Sequence, residues 1–425
     1  MSGEAAEVQW YIEQRLVHET HTSERRSFRG CRRRWDWIFR ESYYPIMTAK
    51  PLEFGTAYHL GMEVYYNPDT WTWDREIVAA AAIKAFTDKC ISQKKKALAA
   101  TDQVALDPEI EEDYLERVTL GQGMLNYYFT QVAPKLDAHL TPIKVEIEFM
   151  VPIPHPETGL AIWCRCDNCK QKQYDYWMKN IDAFYAYFKE RDLPAMHVIN
   201  WDNWDGLPVV YAGRLDALVE DSNGDYWIVD WKTARNVSKD DEFLYLDDQV
   251  GSYPWALKKL GIKVRGFLYH EQRKGFPQPP KQNKQRRLGC LYSVAKNQDI
   301  DYDTYLATVK QNDTQAYENG CYDEILTWLQ EAGVEYYKRH QIHKSDAELQ
   351  EIEKNIGWEV LDMIDPSIRI YPSPGRFACT YCAFRQPCLE KNAQGDYQYA
   401  LDTLFERREH YYIREEPSTE SKGAE

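Results

Sequence analysis

Two aspartates and a lysine lie on two neighbouring strands of the sequence. Residues 209–221 and 225–233 each have a strand pattern, and a turn containing Asn-Gly separates them. Asp216 lies in the first strand, whereas Asp230 and Lys232 end the second and share one face. Converging carboxylates suit Mg²⁺ or Mn²⁺, and a neighbouring lysine can orient water. The pattern predicts metal-assisted phosphodiester hydrolysis, with solvated strand ends as the alternative.

Two helical motifs could complete this site. His59 ends a GTAYH motif in a helix predicted over residues 54–66, from which its imidazole could reach the same ion. Gln249 and Tyr253 lie four residues apart on one face of a helix predicted over 247–259, where they could contact DNA. The alternatives are a core or surface histidine and an ordinary pair on a helix surface.

Four cysteines near the two ends of the sequence have the types and spacing of a cluster site. Cys379, Cys382 and Cys388 form a C-x2-C-x5-C motif, and Cys31 lies in a basic helix predicted over residues 23–46. Four thiolates match an iron–sulfur cluster or a structural zinc. The C-terminal motif alone could be half of a zinc site, but a single remote fourth cysteine favours a cluster that joins the two ends.

Three more cysteines lie close together in an apparent insertion, residues 154–206, which has a helix predicted around 177–190. They are Cys164, Cys166 and Cys169. With His197 or His155 as a fourth ligand they could hold Zn²⁺, and a turn with free thiols is the alternative.

The composition is that of a folding chain without a membrane span. Of the 425 residues, 44% are hydrophobic and 28% charged, and there is no apolar run of about 18 residues. The N-terminus lacks a signal-peptide pattern, so we expect the protein in the cytoplasm, that of the host if a phage encodes it. In that compartment a disulfide framework is not expected. The isolated Cys90, Cys290 and Cys321 are predicted to be small buried side chains.

Basic residues are unevenly distributed along an acidic chain. The net charge of −15 argues against nucleic-acid binding through overall charge. However, residues 25–40 contain seven arginines and one acid, and residues 273–287 contain six basic residues and no acid. The arginine run, which includes Arg32 and Arg33, is predicted to bind phosphates. A solvated helix face is the alternative.

The element order predicts an α/β fold with a small mixed sheet flanked by helices. Strands are predicted at 144–153, 209–221, 225–233 and 264–271, and further helices at 74–99, 109–133, 301–317, 320–341 and 345–363. This order suggests a helical region over 1–143, a sheet core over 144–275 with the insertion, a helical region over 276–411 and a disordered tail over 412–425.

Taken together, the motifs resemble the RecB-like branch of the PD-(D/E)XK nucleases, of the iron–sulfur kind seen in CRISPR-associated RecB-like exonucleases and in AddB. The resemblance spans residues 31–388. It rests on six motifs in the family's order: Cys31, Gly55 to His59, Gly213-Arg214-Leu215-Asp216, Asp230-Trp231-Lys232, Gln249 to Tyr253, and Cys379/Cys382/Cys388. This chain has Arg32 where a proline often follows the first cysteine, and Asp230 in place of glutamate.

The resemblance implies a restriction-endonuclease-like core and a role for each motif residue. His59, Asp216, Asp230 and the Trp231 carbonyl would bind Mg²⁺ or Mn²⁺, and Lys232 would position the attacking water. Gln249 and Tyr253 would hold the DNA strand. The four motif cysteines would carry a structural four-iron, four-sulfur cluster that joins the helical N- and C-terminal regions.

We therefore predict a metal-dependent deoxyribonuclease. The primary hypothesis is an exonuclease acting on single-stranded DNA or duplex ends in recombination, repair or phage DNA processing. The alternatives are a structure-specific endonuclease or nickase, and a non-catalytic DNA-binding component of a recombination complex. The sequence has no P-loop motif, so unwinding would need a helicase or recombination partner.

Overall fold

The computed structural model describes residues 3–46, 50–101, 108–180, 182, 206–238, 242–287 and 289–408. The chain divides into two compact units, each built from segments distant in sequence. The first unit comprises Met1–Thr48, Met150–Gly213 and Gln350–Glu425, and the second comprises Ala49–Phe149 and Arg214–Leu349. The division predicted from the sequence instead follows chain order, and it stays a prediction.

The elements are numbered here in chain order. The α-helices are α1 (Gly3–Glu13), α2 (Thr22–Gly30), α3 (Arg32–Trp35), α4 (Lys50–Tyr65), α5 (Arg75–Thr101), α6 (Pro108–Tyr127), α7 (Ala133–Leu136), α8 (Asp167–Lys179), α9 (Asp248–Lys259), α10 (Tyr302–Asn312), α11 (Thr314–Glu318), α12 (Asp323–Ala332), α13 (Asp346–Ile364), α14 (Arg376–Thr380), α15 (Arg385–Asn392) and α16 (Tyr397–Leu404). The strands are β1 (His18–Thr20), β2 (Tyr43–Pro45), β3 (Leu140–Pro152), β4 (Trp163–Cys164), β5 (Leu207–Asp221), β6 (Tyr226–Ala234), β7 (Gly266–Arg273), β8 (Gln282–Arg287), β9 (Cys290–Tyr292), β10 (Tyr337–Ile342) and β11 (Phe405–Arg407).

A mixed sheet forms the centre of the second unit. The second half of β5 and β6 form an antiparallel hairpin in which Ala217 pairs with Val229. Strand β7 follows β6 in parallel through α9, and β10 pairs antiparallel with β7. A parallel connection needs a crossover element, and α9 supplies it. The sheet therefore mixes parallel and antiparallel pairs, as the sequence predicted.

Helices α4, α5 and α6 cover the β5–β6 hairpin with an aromatic-rich core. Tyr58 and Met62 of α4 are buried with Phe86 of α5 against Val229 and Trp231 of the sheet. A side chain at Gly121 of α6 would overlap the Phe86 ring, so α6 approaches this ring closely only because position 121 is glycine. Burial of these large rings provides the main stabilisation of the helical layer.

The first unit contains the start of β5 and the segments from both ends of the chain. Strand β1 runs parallel to β5, with His18 opposite Val209, and β4 is antiparallel to it, with Cys164 opposite Leu207. Strands β2 and β11 form a separate antiparallel pair. Beside this pair, an aromatic cluster brings α3 and its following turn together with α15 and α16; its buried members are Trp37, Tyr43, Phe384, Leu401 and Phe405.

The predicted strands are observed, and so is the α/β class, but two predicted helices include residues that form strands instead. The helix predicted over 320–341 ends at Ala332, and the chain from Tyr337 to Ile342 is instead strand β10. The helix predicted over 23–46 is broken at Cys31, whose backbone is extended, and it gives way to β2. A glycine lies at each break, Gly333 in the first case and Gly30 in the second. After the break the chain forms a strand that pairs with a distant one, β10 with β7 and β2 with β11.

The cysteine predictions are corrected in one respect. Cys290 and Cys321, predicted to be isolated thiols, are joined by a disulfide with 5.9 Å between their Cα atoms. The partners lie 31 residues apart, in β9 and just before α12, and only the packing of those elements brings them together. Cys90 is buried as predicted, and burial raises the pKa of its thiol to about 11.

Several predictions fall partly or wholly outside the described residues. They are the disordered tail over 412–425, His197 and most of the helix around 177–190, of which α8 covers the first residues. In the part of the chain that the structure describes, no helix is both long and apolar enough to span a membrane.

Candidate active site

The hairpin of β5 and β6 brings the two predicted aspartates to adjacent positions. Asp216 precedes Ala217 and Asp230 follows Val229, and these two neighbours are paired across the hairpin. The Asp216 carboxylate accepts the backbone N–H of Trp231 at 2.9 Å. This hydrogen bond fixes the Asp216 side chain beside the backbone of the Asp-x-Lys segment.

Helix α4 adds His59 to the same place. Its Nε2 atom donates to the Trp231 carbonyl oxygen at 2.5 Å, and its Nδ1 atom lies 3.6 Å from Asp216 Oδ1. Residues 59 and 231 are 172 positions apart. Packing of α4 against the sheet, through Tyr58 and Met62 on either side of the histidine, sets this geometry.

Asp230 is almost fully buried, with 1% of its surface exposed. Its Oδ1 atom accepts hydrogen bonds from Lys232 Nζ at 2.8 Å and from Gln249 Nε2 at 2.7 Å. Its Oδ2 atom lies 2.7 Å from the same Nζ. The lysine ammonium therefore lies against both oxygens of this buried carboxylate, and a buried charge is tolerated only when it is paired and hydrogen-bonded in this way.

Burial and the opposite charge of the partner shift the pKa values of Asp230 and Lys232 in opposite directions. Burial raises the pKa of Asp230, the Lys232 ammonium opposes that rise, and the Asp216 carboxylate adds to it. For Lys232, burial opposes the charged form, but the carboxylates of Asp230 and Asp216 outweigh it and raise the pKa of the lysine. Lys232 therefore stays an ammonium at neutral pH, and 33% of its side chain remains exposed.

Two glutamates beside these residues were not predicted. Burial raises the pKa of Glu146 on β3 to about 7, the Arg214 guanidinium opposes that rise, and the carboxylates of Asp216 and Glu63 add to it. Glu146 also forms a 2.8 Å ion pair with Arg214. Burial likewise raises the pKa of Glu63, which lies one helical turn after His59. That i, i+4 spacing was the one signal in the sequence for Glu63.

Comparison with known protein families gives a match over residues 22–389, described as the PD-(D/E)XK nuclease superfamily. The chain belongs to this superfamily. The superfamily consists generally of metal-dependent nucleases. A search of curated proteins found no match.

The donor set of this site fits the divalent metal that the superfamily uses. Two carboxylates, one carbonyl oxygen and one imidazole converge from β5, β6 and α4. Mg²⁺ and Mn²⁺ prefer oxygen ligands, and the two aspartates and the Trp231 carbonyl supply oxygens of that kind.

The four residues predicted to bind DNA differ from one another in what they contact. Gln249 points to Asp230, as described above, whereas Tyr253 is 8% exposed and packs edge-on against Phe149. Arg33 donates to Cys388 Sγ and to Asn392, and Arg32 stacks over the Phe28 and Tyr371 rings. These contacts connect α3 with the C-terminal segment of the first unit, and a role in DNA binding stays a prediction.

The four cysteines of the predicted cluster lie in the first unit, and the sulfurs of Cys31, Cys379 and Cys388 accept hydrogen bonds. The Cys31 sulfur accepts from the Ser373 N–H at 3.5 Å and the Cys379 sulfur from the Gly375 N–H at 3.4 Å. Burial raises the pKa of the Cys382 thiol, and Cys31 and Cys379 lie close enough to add to that rise. The segments around residues 31, 375 and 382 are therefore neighbours in the fold.

The three insertion cysteines form a second group, with a fourth member that the sequence analysis missed. Their side chains cluster with His18, not with His155. The His155 ring accepts the backbone N–H groups of Glu157 and Thr158 in its own turn. His18 lies about 150 positions before these cysteines, so no local pattern indicated it.

Proposed function

We propose that this protein is a metal-dependent deoxyribonuclease of the RecB-like branch that degrades DNA from ends or in single strands. The convergence of Asp216, Asp230, Lys232 and His59 around one hairpin carries the proposal. Each of these residue types has a place in phosphodiester hydrolysis, and the aspartates lie on paired strands beside a lysine that remains partly exposed.

The proposed ligands are Asp216, Asp230, His59 and the Trp231 carbonyl oxygen. A divalent cation bound there would supply Lewis acidity toward a phosphate oxygen and lower the pKa of a bound water. The pKa of Asp230 is raised by burial in this structure, and a divalent cation beside this carboxylate would favour its ionised form.

Lys232 would hold the water that attacks the phosphorus and offset the negative charge that develops on the phosphate oxygens. Its ammonium is fixed by Asp230 at 2.8 Å, yet a third of the side chain is open to solvent and thus to a substrate. Gln249 fixes the other side of the Asp230 carboxylate at 2.7 Å, so it would position this ligand as well as approach the DNA strand.

The DNA contacts form a second part of the proposal. Tyr253 follows Gln249 by one turn of α9 and would support the strand near the scissile phosphate. Arg32 and Arg33 belong to the arginine run of α2, α3 and the following turn, where Arg25 and Arg29 both pair with Glu359. Binding through this surface should weaken with salt. A helicase or recombination partner would supply duplex unwinding.

We also propose that Cys31, Cys379, Cys382 and Cys388 carry a structural four-iron, four-sulfur cluster. Hydrogen bonds from backbone N–H groups and from Arg33 to three of the four sulfurs support it, because such donors stabilise cluster sulfurs. A cluster at this position would connect α2 and α3 with α14 and α15, within the first unit.

Digestion of end-labelled linear single strands, linear duplexes and circular single strands with Mg²⁺ or Mn²⁺ tests the function. An exonuclease degrades the linear substrates and leaves the circle intact, whereas cleavage of the circle would favour the endonuclease alternative. Binding without cleavage of any substrate would overturn the proposal and favour a non-catalytic component.

Matched variants decide whether the proposed site is responsible. Asp216→Asn and Asp230→Asn keep the side-chain volume and should abolish cleavage. Asp303→Asn is the control, because Asp303 is an exposed aspartate paired with Lys135. Equal cleavage by Asp230→Asn and the Asp303→Asn control would refute the assignment.

A further inference from the structure

Four side chains of the first unit, of types that can ligate a metal, form a compact group, and none of them belongs to the nuclease motifs. Ligand atoms of His18, Cys164, Cys166 and Cys169 all lie within 4.8 Å of one another. The Nδ1 atom of His18 is 3.2 Å from Cys169 Sγ. Tetrahedral zinc, with bonds of 2.0–2.3 Å, separates its ligand atoms by about 3.5–3.8 Å, so this spacing fits a single ion.

Three elements bring these side chains together. Strand β1 places His18 opposite Val209 of β5, and the short β4 places Cys164 opposite Leu207 of the same strand. Cys166 is the residue that precedes α8, and Cys169 lies in its first turn. The positive N-terminal end of a helix favours thiolates. The N-terminus of α8 therefore favours the ionised forms of Cys166 and Cys169, which are the forms that bind a metal.

The backbone that carries Cys164 lies so close to residue 206 that this position requires glycine. Gly206 has a φ angle of +80°, and a side chain there would overlap the Cys164 carbonyl oxygen. Cys164 and Cys169 are 1% and 5% exposed, whereas Cys166 is exposed. Buried thiols in contact with an imidazole, with one ligand near the surface, are consistent with an ion that can load after folding.

We propose that His18, Cys164, Cys166 and Cys169 bind one structural Zn²⁺. Three sulfurs and one imidazole are a ligand set that selects zinc over Mg²⁺ or Mn²⁺, and a complete set of four leaves no open position for catalysis. The inference is independent of the proposed nuclease function, because it rests on other residues and on metal content.

The ion would fasten the insertion to the N-terminal segment of the first unit. Helix α8 already packs on α1, where the Trp177 ring stacks on Trp10 with centroids 5.3 Å apart and Gln173 donates to the Tyr11 hydroxyl. Zinc would add a covalent-like link beside these contacts, from β1 to the first turn of α8. Its removal should therefore loosen the insertion first.

Elemental analysis of the purified full-length protein tests the proposal. We expect about one zinc per chain, lost in Cys166→Ser and in His18→Ala, and retained in His155→Ala and Cys90→Ser. Cys166 is exposed, so Cys166→Ser should stay folded, and a thermal melt checks this. Cys379→Ser should lose iron but keep zinc, which separates this site from the proposed cluster.

Replacement of the zinc by Co²⁺ gives a second readout. Thiolate-bound tetrahedral Co²⁺ absorbs visible light, and this absorption should appear in the wild-type protein and be absent from Cys166→Ser. Wild-type protein without zinc, full zinc content in Cys166→Ser, iron bound by these residues, or a disulfide among the three cysteines would each overturn the proposal.

Discussion

The Nε2 atom of His59 and the carbonyl oxygen of Trp231 lie 2.5 Å apart, although 172 residues separate them in the chain. Both atoms are of types that ligate divalent metals. Asp216 lies beside both residues, because its carboxylate is 3.6 Å from His59 Nδ1 and accepts the Trp231 N–H. Helix α4 and the β5–β6 hairpin thus form one arrangement of ligand atoms, and the packing of Tyr58 and Met62 maintains it.

Replacement of His59 should weaken metal binding more than it weakens DNA binding. His59→Gln keeps a polar side chain on α4 but removes the imidazole, and we expect the Mn²⁺ concentration for half-maximal cleavage to rise roughly 10- to 100-fold. A metal titration of the cleavage rate measures this. His139→Gln, at an exposed histidine of the same unit, is the control. An unchanged metal requirement would remove His59 from the proposed ligands.

Gln249 should act on the rate through Asp230. Gln249→Leu removes the 2.7 Å hydrogen bond to the buried carboxylate, and the loss of one such bond, about 1–3 kcal/mol, corresponds to roughly 5- to 150-fold in the single-turnover rate. Gln171→Leu is a matched control, because Gln171 also donates to an aspartate, Asp175, but on an exposed helix face. Equal rates for the two variants would contradict a positioning role.

The stability of the first unit should depend on pH through Glu24. Burial raises the pKa of Glu24 to about 7, and the hydrogen bond from the Trp35 indole opposes that rise. Between its ordinary pKa of 4.5 and about 7, the unfolded chain loses this proton while the folded chain keeps it. The free energy of unfolding therefore falls as pH rises through this window, by up to about 3 kcal/mol.

Glu24→Gln isolates this effect, because the amide cannot ionise and still accepts from Trp35. Relative to the wild type, the variant should be more stable at about pH 8 than at about pH 5. Urea unfolding at both pH values measures the difference. Glu13→Gln, on α1, serves as a control at an exposed glutamate. A stability difference that does not change with pH would show that Glu24 ionises normally.

The proposed cluster predicts a coloured protein. Anaerobically purified wild type should be brown and contain about four irons per chain, and Cys382→Ser should lose both colour and iron. Cys90→Ser is the control, because Cys90 is buried without belonging to either cysteine group. A colourless wild type with a second zinc per chain would show that these four cysteines bind zinc instead.

The hairpin and its acids could be predicted because their signals are local. Alternation over 209–221 and 225–233 identifies β5 and β6, and the same alternation puts Asp230 and Lys232 on one face. Strand β10 was missed because the helical pattern of α12 was extended past Gly333, and because its partner, β7, lies more than 60 residues away.

Other residues of the candidate active site and of the cysteine groups could not be predicted, because their partners are also distant in sequence. Glu146 reaches the site only through the pairing of β3 with β5, and His18 reaches the insertion cysteines only because β1 pairs with β5. The Cys290–Cys321 disulfide likewise depends on packing between β9 and the start of α12. Tertiary contacts, not local pattern, determine all three.

The charge of Lys232 tests the central claim most directly. Lys232→Gln can still donate to Asp230 but lacks the ammonium, and Lys258→Gln, at an exposed lysine paired with Asp346, is the matched control. With linear single-stranded DNA bound in advance and Mg²⁺ added to start the reaction, we expect the cleavage rate of Lys232→Gln to fall roughly 100- to 1,000-fold at nearly unchanged DNA affinity. Cleavage by Lys232→Gln at the wild-type rate would contradict the account.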